Sequence, residues 1–224
     1  MSPTTDRETG ARLDFDRSQR LGFSEAVFCQ GKTPVQIGQI LDQFGARGQP
    51  CLLTRLDADK RGALPAGHAL DYDPLSRTAF APGPEPRRPG LAVAIVSAGS
   101  SDAPVALEAV RTLAFHGVES QLYPDLGLAG LWRLLDRLEE IRTHPVVIAV
   151  AGMEGALFTA LGGLVAAPVI ALPTSVGYGV AQGGRLSLHS ALGSCAPGIV
   201  TVNIDNGYGA ACAALRMLAL LRSP

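Results

Sequence analysis

Val-Val-Ile-Ala-Val-Ala-Gly-Met-Glu-Gly-Ala, residues 146–156, decides the fold. An apolar run from Val146 to Ala151 stops abruptly in Gly152, Met153 and Glu154. A short, nearly uniform apolar run reads as a strand buried on both faces. Small and polar residues at its C-terminal end stand where an open α/β sheet binds ligands. The pattern returns in Pro-Val-Ile-Ala-Leu-Pro-Thr-Ser-Val-Gly-Tyr-Gly at 168–179 and in Val-Thr-Val-Asn-Ile-Asp-Asn-Gly-Tyr-Gly at 200–209.

Outward from this stretch, strands are predicted at 91–98, 118–123, 146–151, 169–172 and 199–204. Helices are predicted at 102–116, 128–142, 154–165, 185–192 and 208–221. Leu131, Trp132, Leu134, Leu135, Leu138 and Ile141 are read as the buried positions of the second helix. Strands alternating with helices predict an α/β fold, a doubly wound parallel five-stranded sheet covered on both faces. The Pro- and Gly-rich segment 82–90 reads as a linker. It divides a small N-terminal α+β domain, 1–85, from the α/β domain, 86–224. In the first, residues 1–12 read as loose, 13–21 as a short helix, 26–29, 51–56 and 77–81 as strands, and 57–62 as a polar turn. Thr33, Pro34 and Gln36 read as the cap, first position and capping-box partner of a helix with Ile37, Ile40, Leu41 and Phe44 on one face.

The totals narrow the function. At 224 residues the chain is long enough to bury a substantial core. With 47% hydrophobic and 17% charged residues it is globular rather than disordered. A net charge of −1 gives no reason to expect nucleic acid or an anionic membrane as partner. Cys29, Cys51, Cys195 and Cys212 form no Cys-x-x-Cys pair, and they read as reduced thiols of a cytoplasmic protein. The polar N-terminus shows no signal peptide, and the apolar stretch 161–172 is too short to span a bilayer.

Two nucleotide motifs are excluded. Gly31-Lys32-Thr33 is no P-loop, because Ala26 stands where that motif needs a glycine. Gly207-x-Gly209 resembles a dinucleotide fingerprint but belongs to the last strand, with no room for a ribose-binding acid after it. The chemistry therefore lies in the strand ends taken together. Gly99, Ser100, Ser101 and Asp102 follow the first strand, and a helix opening there suits a phosphate, ribose or carboxylate. Gly152, Met153 and Glu154 follow the third. Thr174, Ser175, Val176 and Gly177 follow the fourth, and Asn203, Asp205 and Asn206 the fifth. From the residues alone Cys195 is not preferred to Cys212, and His68, His116, His144 and His189 carry no spacing signal.

Together, Gly-Ser-Ser-Asp-Ala-Pro-Val-Ala from Gly99, Ala-Gly-Met-Glu-Gly-Ala from Ala151, Pro-Thr-Ser-Val-Gly-Tyr-Gly from Pro173, Ser-Cys-Ala-Pro-Gly from Ser194 and Val-Asn-Ile-Asp-Asn-Gly-Tyr-Gly from Val202 resemble a known family. It is the nickel-pincer-nucleotide biosynthesis carboxylase, the LarB family, whose domain is similar to aminoimidazole ribonucleotide carboxylase with its flavodoxin-like sheet. The likeness covers 91–217 and extends weakly to Arg20-Leu21-Gly22-Phe23 and Gly31-Lys32-Thr33-Pro34. Cys29 and Gln30 depart from the Gly and Glu of the family, so no role is carried over to them.

The resemblance implies carboxylation of the pyridinium ring of nicotinic acid adenine dinucleotide, with CO2 or bicarbonate as co-substrate. It also implies hydrolysis of the phosphoanhydride. The products are pyridinium-3,5-biscarboxylic acid mononucleotide and AMP, a step in lactate racemase maturation. Cys195 matches the family's nucleophile and Glu154 its acid/base. The strand-end residues named above are the implied substrate contacts. Hydrolysis implies Mg²⁺, with Asp205 and Asp125 as candidate ligands. Two alternatives stay open, the purine-pathway carboxylase/mutase itself and a nucleotide-binding module without catalysis. Against the first, Ala151-Gly152-Met153 lacks a preceding His. Topology places Cys195, between a helix and the next strand, away from the ligand edge. The related octamers then imply a homo-octamer in which Cys195 of one chain sits beside Asp102 and Glu154 of another, unless 180–196 bends back over its own site.

Overall fold

A computed structural model describes residues 11–82 and 92–221. The proposed linker 82–90 lies, past Pro82, outside the described residues, as do the first ten residues of the segment read as loose. The chain divides into two units, Met1–Pro86 and Arg87–Pro224.

The first unit contains α1 (Arg17–Leu21), β1 (Ala26–Phe28), α2 (Pro34–Gly45), β2 (Cys51–Thr54), α3 (Ala58–Gly62), β3 (Asp71–Asp73) and β4 (Thr78–Ala81). Its sheet runs β1-β2-β4-β3, with β1 and β2 parallel and the other pairs antiparallel. The capping box forms as the sequence predicts. The Gln36 N–H donates to Thr33 Oγ1 at 3.2 Å, and the Thr33 N–H donates to Gln36 Oε1 at 3.0 Å. Ile37, Ile40, Leu41 and Phe44 then pack on Val27 and Leu53 of the sheet. The segment read as a polar turn instead holds α3, because Asp57 caps it, accepting the Lys60 N–H at 2.8 Å. Strand β3 had no pattern to announce it. Asp71-Tyr72-Asp73 pairs with β4, and the Tyr72 hydroxyl donates to the Leu56 carbonyl at 3.1 Å.

The second unit contains β5 (Ala92–Ser97), α4 (Ala103–Phe115), β6 (Glu119–Tyr123), α5 (Leu131–Ile141), β7 (Val146–Ala151), α6 (Ala156–Leu164), β8 (Val169–Pro173), α7 (Arg185–Leu192), β9 (Val200–Thr201) and α8 (Gly207–Leu220). The sheet runs β6-β5-β7-β8-β9 and every pair is parallel, the doubly wound α/β arrangement predicted. All six residues of β7 are buried, as its apolar run requires. Leu134 and Ile141 of α5, Leu157, Phe158 and Leu161 of α6, and Ala191 of α7 pack on one face of the sheet. On the other, α4 and α8 pack on each other and on the central strands. Ala106 and Ala109 of α4 and Ala210, Ala211 and Ala214 of α8 are small enough to let the two helices approach closely. A Cβ at Gly207 would sit 2.6 Å from the Val105 carbonyl oxygen.

Three expectations change here. In α5 the inward positions are Leu134, Leu138 and Ile141, at i, i+4 and i+7. Leu131, Trp132 and Leu135 point outward, Trp132 being 66% exposed. One helix face cannot present six apolar positions at once. Helix α6 begins at Ala156, so Glu154 lies in the preceding turn, beside Gly155 at φ 64°. The last strand is two residues long. After it Asn203 accepts the Ile204 N–H at 2.9 Å and Asp205 takes φ 55°, so the chain turns before a longer strand can form. Among the described residues no helix is long and apolar enough to cross a membrane.

Candidate active site

The parallel sheet brings its C-terminal strand ends to one edge, and hydrogen bonds join them. Asp102 is the centre. It closes the 3₁₀ turn Ser100–Asp102 after β5 and is 3% exposed. Its Oδ1 accepts the Thr174 hydroxyl at 2.6 Å and its Oδ2 accepts the Gly99 N–H at 2.9 Å. The Gly152 N–H donates to the same carboxyl. Burial pushes this carboxyl above the usual carboxylate range, against those three hydrogen bonds, and the nearby Asp205 pushes it the same way as burial. Thus Asp102, expected as a substrate contact, turns inward and joins the ends of β5, β7 and β8. Three donors satisfy its oxygens there, although they do not fully offset the loss of solvent around its charge. Exposed Ser100 and Ser101 remain beside it at the surface.

The loops after β7 and β8 touch through backbone. The Met153 N–H donates to the Val176 carbonyl at 2.8 Å. A Cβ on Gly152 would lie 2.3 Å from that same oxygen and 2.7 Å from Thr174 Oγ1. Gly152→Ala should therefore force the two loops apart and cost about 3 kcal/mol, the upper range for overpacking. Chemical denaturation of the variant checks this, and an unchanged midpoint would contradict it. The loop after β9 joins in turn. The Asp205 N–H donates to the Pro173 carbonyl at 2.8 Å, and Asp205 Oδ1 accepts the Ser175 N–H at 2.7 Å. Asn206 caps α8 by accepting the Gly209 N–H at 2.8 Å. Gly177 meets the Ala181 carbonyl, where a Cβ would lie 2.5 Å away.

Met153, Asp205 and Asp125 hold left-handed backbone, at φ 50°, 55° and 59°. All three follow strands at this edge. Side chains other than Gly rarely adopt that conformation, and they do so where surrounding contacts over-determine it. Glu154, in the turn between Met153 and α6, is exposed at the same edge. Asn203 is exposed as well.

Asp125 already has a partner at this edge, and Cys195 stands apart from it. Asp125 is engaged by Arg133 in an ion pair. Among the described residues no three His, Cys, Asp or Glu side chains come together to hold a metal ion. The other candidate metal ligand, Asp205, sits at the strand-end edge, its Oδ1 accepting the Ser175 N–H. Cys195 lies on the loop between α7 and β9, and that loop runs along α6. Ser194 Oγ shares a hydrogen bond of 2.7 Å with Thr159 Oγ1, and a Cβ at Gly162 would touch Ala196 at 2.9 Å. At 1.5 Å per residue these contacts lie about 4 to 9 Å along α6 from its first residue, away from the ligand edge. The segment 180–196 starts against the strand ends, where a Cβ at Gly184 would lie 2.5 Å from the Thr174 carbonyl oxygen. It forms a 3₁₀ stretch, Gly179–Gly184, and then α7.

Cys195 is nonetheless the exposed thiol. Burial pushes the Cys29 thiol up to about 12 and raises Cys51 too, so those two stay protonated. Two residues of the site left little trace in the sequence. Glu108 is buried on α4 and its Oε2 accepts the Gly207 N–H at 2.8 Å, holding the start of α8. Its one signal was an acid among Ala106, Ala109 and Leu113. The Ser187 hydroxyl donates to the Ala151 carbonyl at 2.7 Å, at the end of β7.

Residues 5–82 match the LarB/PurE-like N-terminal domain, and residues 92–223 match the AIR carboxylase domain. The chain belongs to the LarB family. An uncharacterized protein of Methanocaldococcus jannaschii is 36% identical over 213 residues, covering 91% of this chain and 82% of the relative. At the level of the family, this LarB chain is a carboxylase of nickel-pincer cofactor biosynthesis. The doubly wound sheet and its joined strand ends are the carboxylase domain of that architecture.

Proposed function

We propose that this LarB-family protein carboxylates the pyridinium ring of nicotinic acid adenine dinucleotide and hydrolyses its phosphoanhydride. The observation that carries the reading is one exposed thiol, Cys195, on a loop tied to α6 through Ser194 and Thr159, together with one exposed acid, Glu154, in the turn before the same helix. A pyridinium ring is electron-poor and does not attack CO2. Addition of the Cys195 thiolate beside the ring nitrogen forms an S–C bond and moves an electron pair onto nitrogen, leaving an enamine. Its β-carbon forms a C–C bond to CO2. Glu154 then takes the proton from that carbon, and expulsion of the Cys195 thiolate restores aromaticity. The ring gains one carboxylate and releases one proton. Water then cleaves the phosphoanhydride, giving the biscarboxylate mononucleotide and AMP. Exposed Ser100 and Ser101 at the first strand end are positioned for a phosphate or ribose.

Because Cys195 is displaced along α6 from the strand ends, the reaction is assigned to a homo-oligomer, an octamer by family likeness. In it Cys195 of one chain serves the edge of another. Incubation with the dinucleotide and labelled bicarbonate, with and without Mg²⁺, tests the reaction. Labelled biscarboxylate mononucleotide with stoichiometric AMP is expected. Turnover of aminoimidazole ribonucleotide in its place would overturn the assignment.

Glu154→Gln is expected to bind the dinucleotide and stop before rearomatisation. Intact-protein mass spectrometry with substrate should then show a trapped adduct on Cys195, with turnover reduced by at least about 100-fold, as for loss of a general base. Full activity would rule out Glu154 as the base.

A further inference from the structure

The loop that carries Cys195 is anchored on both sides of that residue. Before it, Ser194 Oγ bonds Thr159 Oγ1 at 2.7 Å. After it, the Ala196 N–H donates to the same Ser194 oxygen at 3.2 Å. Ala196 and Ile199 also fill the space that a side chain at Gly162 would take, 2.9 and 2.8 Å from its Cβ position. The rest of the connection has little to stiffen it. Gly193 ends α7, and Gly198 holds φ 84°. Cys195 itself is exposed and is not held by packing.

We propose that Thr159 and Ser194 are positioning residues that fix the Cys195 thiol for attack by fastening its loop to α6. The proposal rests on Cys195 being the nucleophile. A covalent step needs its reacting atoms within about 3 to 3.5 Å and aligned, and a misplacement of about 1 Å costs as much as 100-fold. An exposed thiol on a Gly- and Pro-containing loop meets that demand only if its neighbours are tied to something rigid. Here the tie is one shared hydrogen bond between two hydroxyls, with a glycine in the same helix leaving room for the loop.

The test uses the full-length chain and compares Thr159→Val, Thr159→Ser and Ser194→Ala. Thr159→Val should lower kcat about tenfold or more, the scale of a lost alignment, with KM for the dinucleotide unchanged within about twofold. Thr159→Ser, which keeps the hydroxyl, should stay close to wild type. Ser194→Ala, on the loop surface, should repeat the Thr159→Val result even where the helix variant folds poorly. Hydrogen exchange at the Ala196 amide should speed up in Thr159→Val and Ser194→Ala. Wild-type kcat in Thr159→Val and Ser194→Ala, beside an inactive Cys195→Ser, would overturn the positioning role alone. A Thr159→Ser enzyme as slow as Thr159→Val would do the same. An active Cys195→Ser would overturn the nucleophile and the positioning role together.

Discussion

Cys195→Ser is expected to stop carboxylation, with kcat lowered by about 1,000-fold or more, because a hydroxyl replaces the nucleophilic thiolate. The fold should be untouched. Cys195 is exposed, and the two anchors of its loop belong to Ser194 and Ala196. Circular dichroism and thermal midpoint are therefore expected to match wild type, and dinucleotide binding should persist. Near-normal turnover would end the covalent proposal. The same variant tests the shared site. Mixed with Glu154→Gln under conditions that let subunits exchange, it should yield hybrid oligomers in which an intact Cys195 meets an intact Glu154 from different chains. Recovery of activity on mixing is the expected result. Mixed oligomers that form and stay inactive would place both groups in one chain's own site.

Asp102→Ala is expected to lose about 3 kcal/mol of stability or more, the scale set by leaving buried donors unsatisfied at 1 to 3 kcal/mol each. The orphaned groups would be the Thr174 hydroxyl and the Gly99 and Gly152 N–H groups. Asp102→Asn separates charge from hydrogen bonding. Burial holds the native Asp102 carboxyl above its ordinary value of 3.8, so the folded protein keeps this proton to higher pH than the unfolded chain. Below pH 3.8 both states are protonated at this group. As pH rises from there to the native value the unfolded chain gives up the proton first, and the contribution of Asp102 to stability falls. Above the native value it is constant. Urea midpoints across that window should therefore decline in wild type relative to Asp102→Asn. Parallel curves for the two proteins would show that Asp102 does not titrate abnormally. Because the carboxyl joins three strand-end loops, either variant should also impair substrate binding, through altered loops rather than a lost direct contact.

By itself the sequence determined what depends on near neighbours. The apolar run 146–151 became a strand buried along its whole length, and the alternation of strands with helices became a parallel doubly wound sheet. The Thr33 and Gln36 capping box formed because its partners lie three residues apart. The same local signals brought the strand ends after β5, β7, β8 and β9 to one edge, since a parallel sheet puts every such end on the same side. Four of the five motifs that resemble the LarB family lie on those ends, and the fifth, around Cys195, lies on the loop before β9. Tertiary structure alone decided which way the side chains there would turn. Asp102 and Thr174, 72 residues apart, paired inside because a buried carboxyl needs donors and three were within reach. Glu108 reached Gly207 across 99 residues because small residues let α4 and α8 close together. Trp132 faced outward because only one side of α5 meets the sheet. Cys195 followed Thr159 rather than the strand ends, through a bond between hydroxyls 35 residues apart. Periodicity and capping act over a few residues along the chain. Hydrogen bonds among buried groups are chosen by which surfaces the packed helices and sheet bring together.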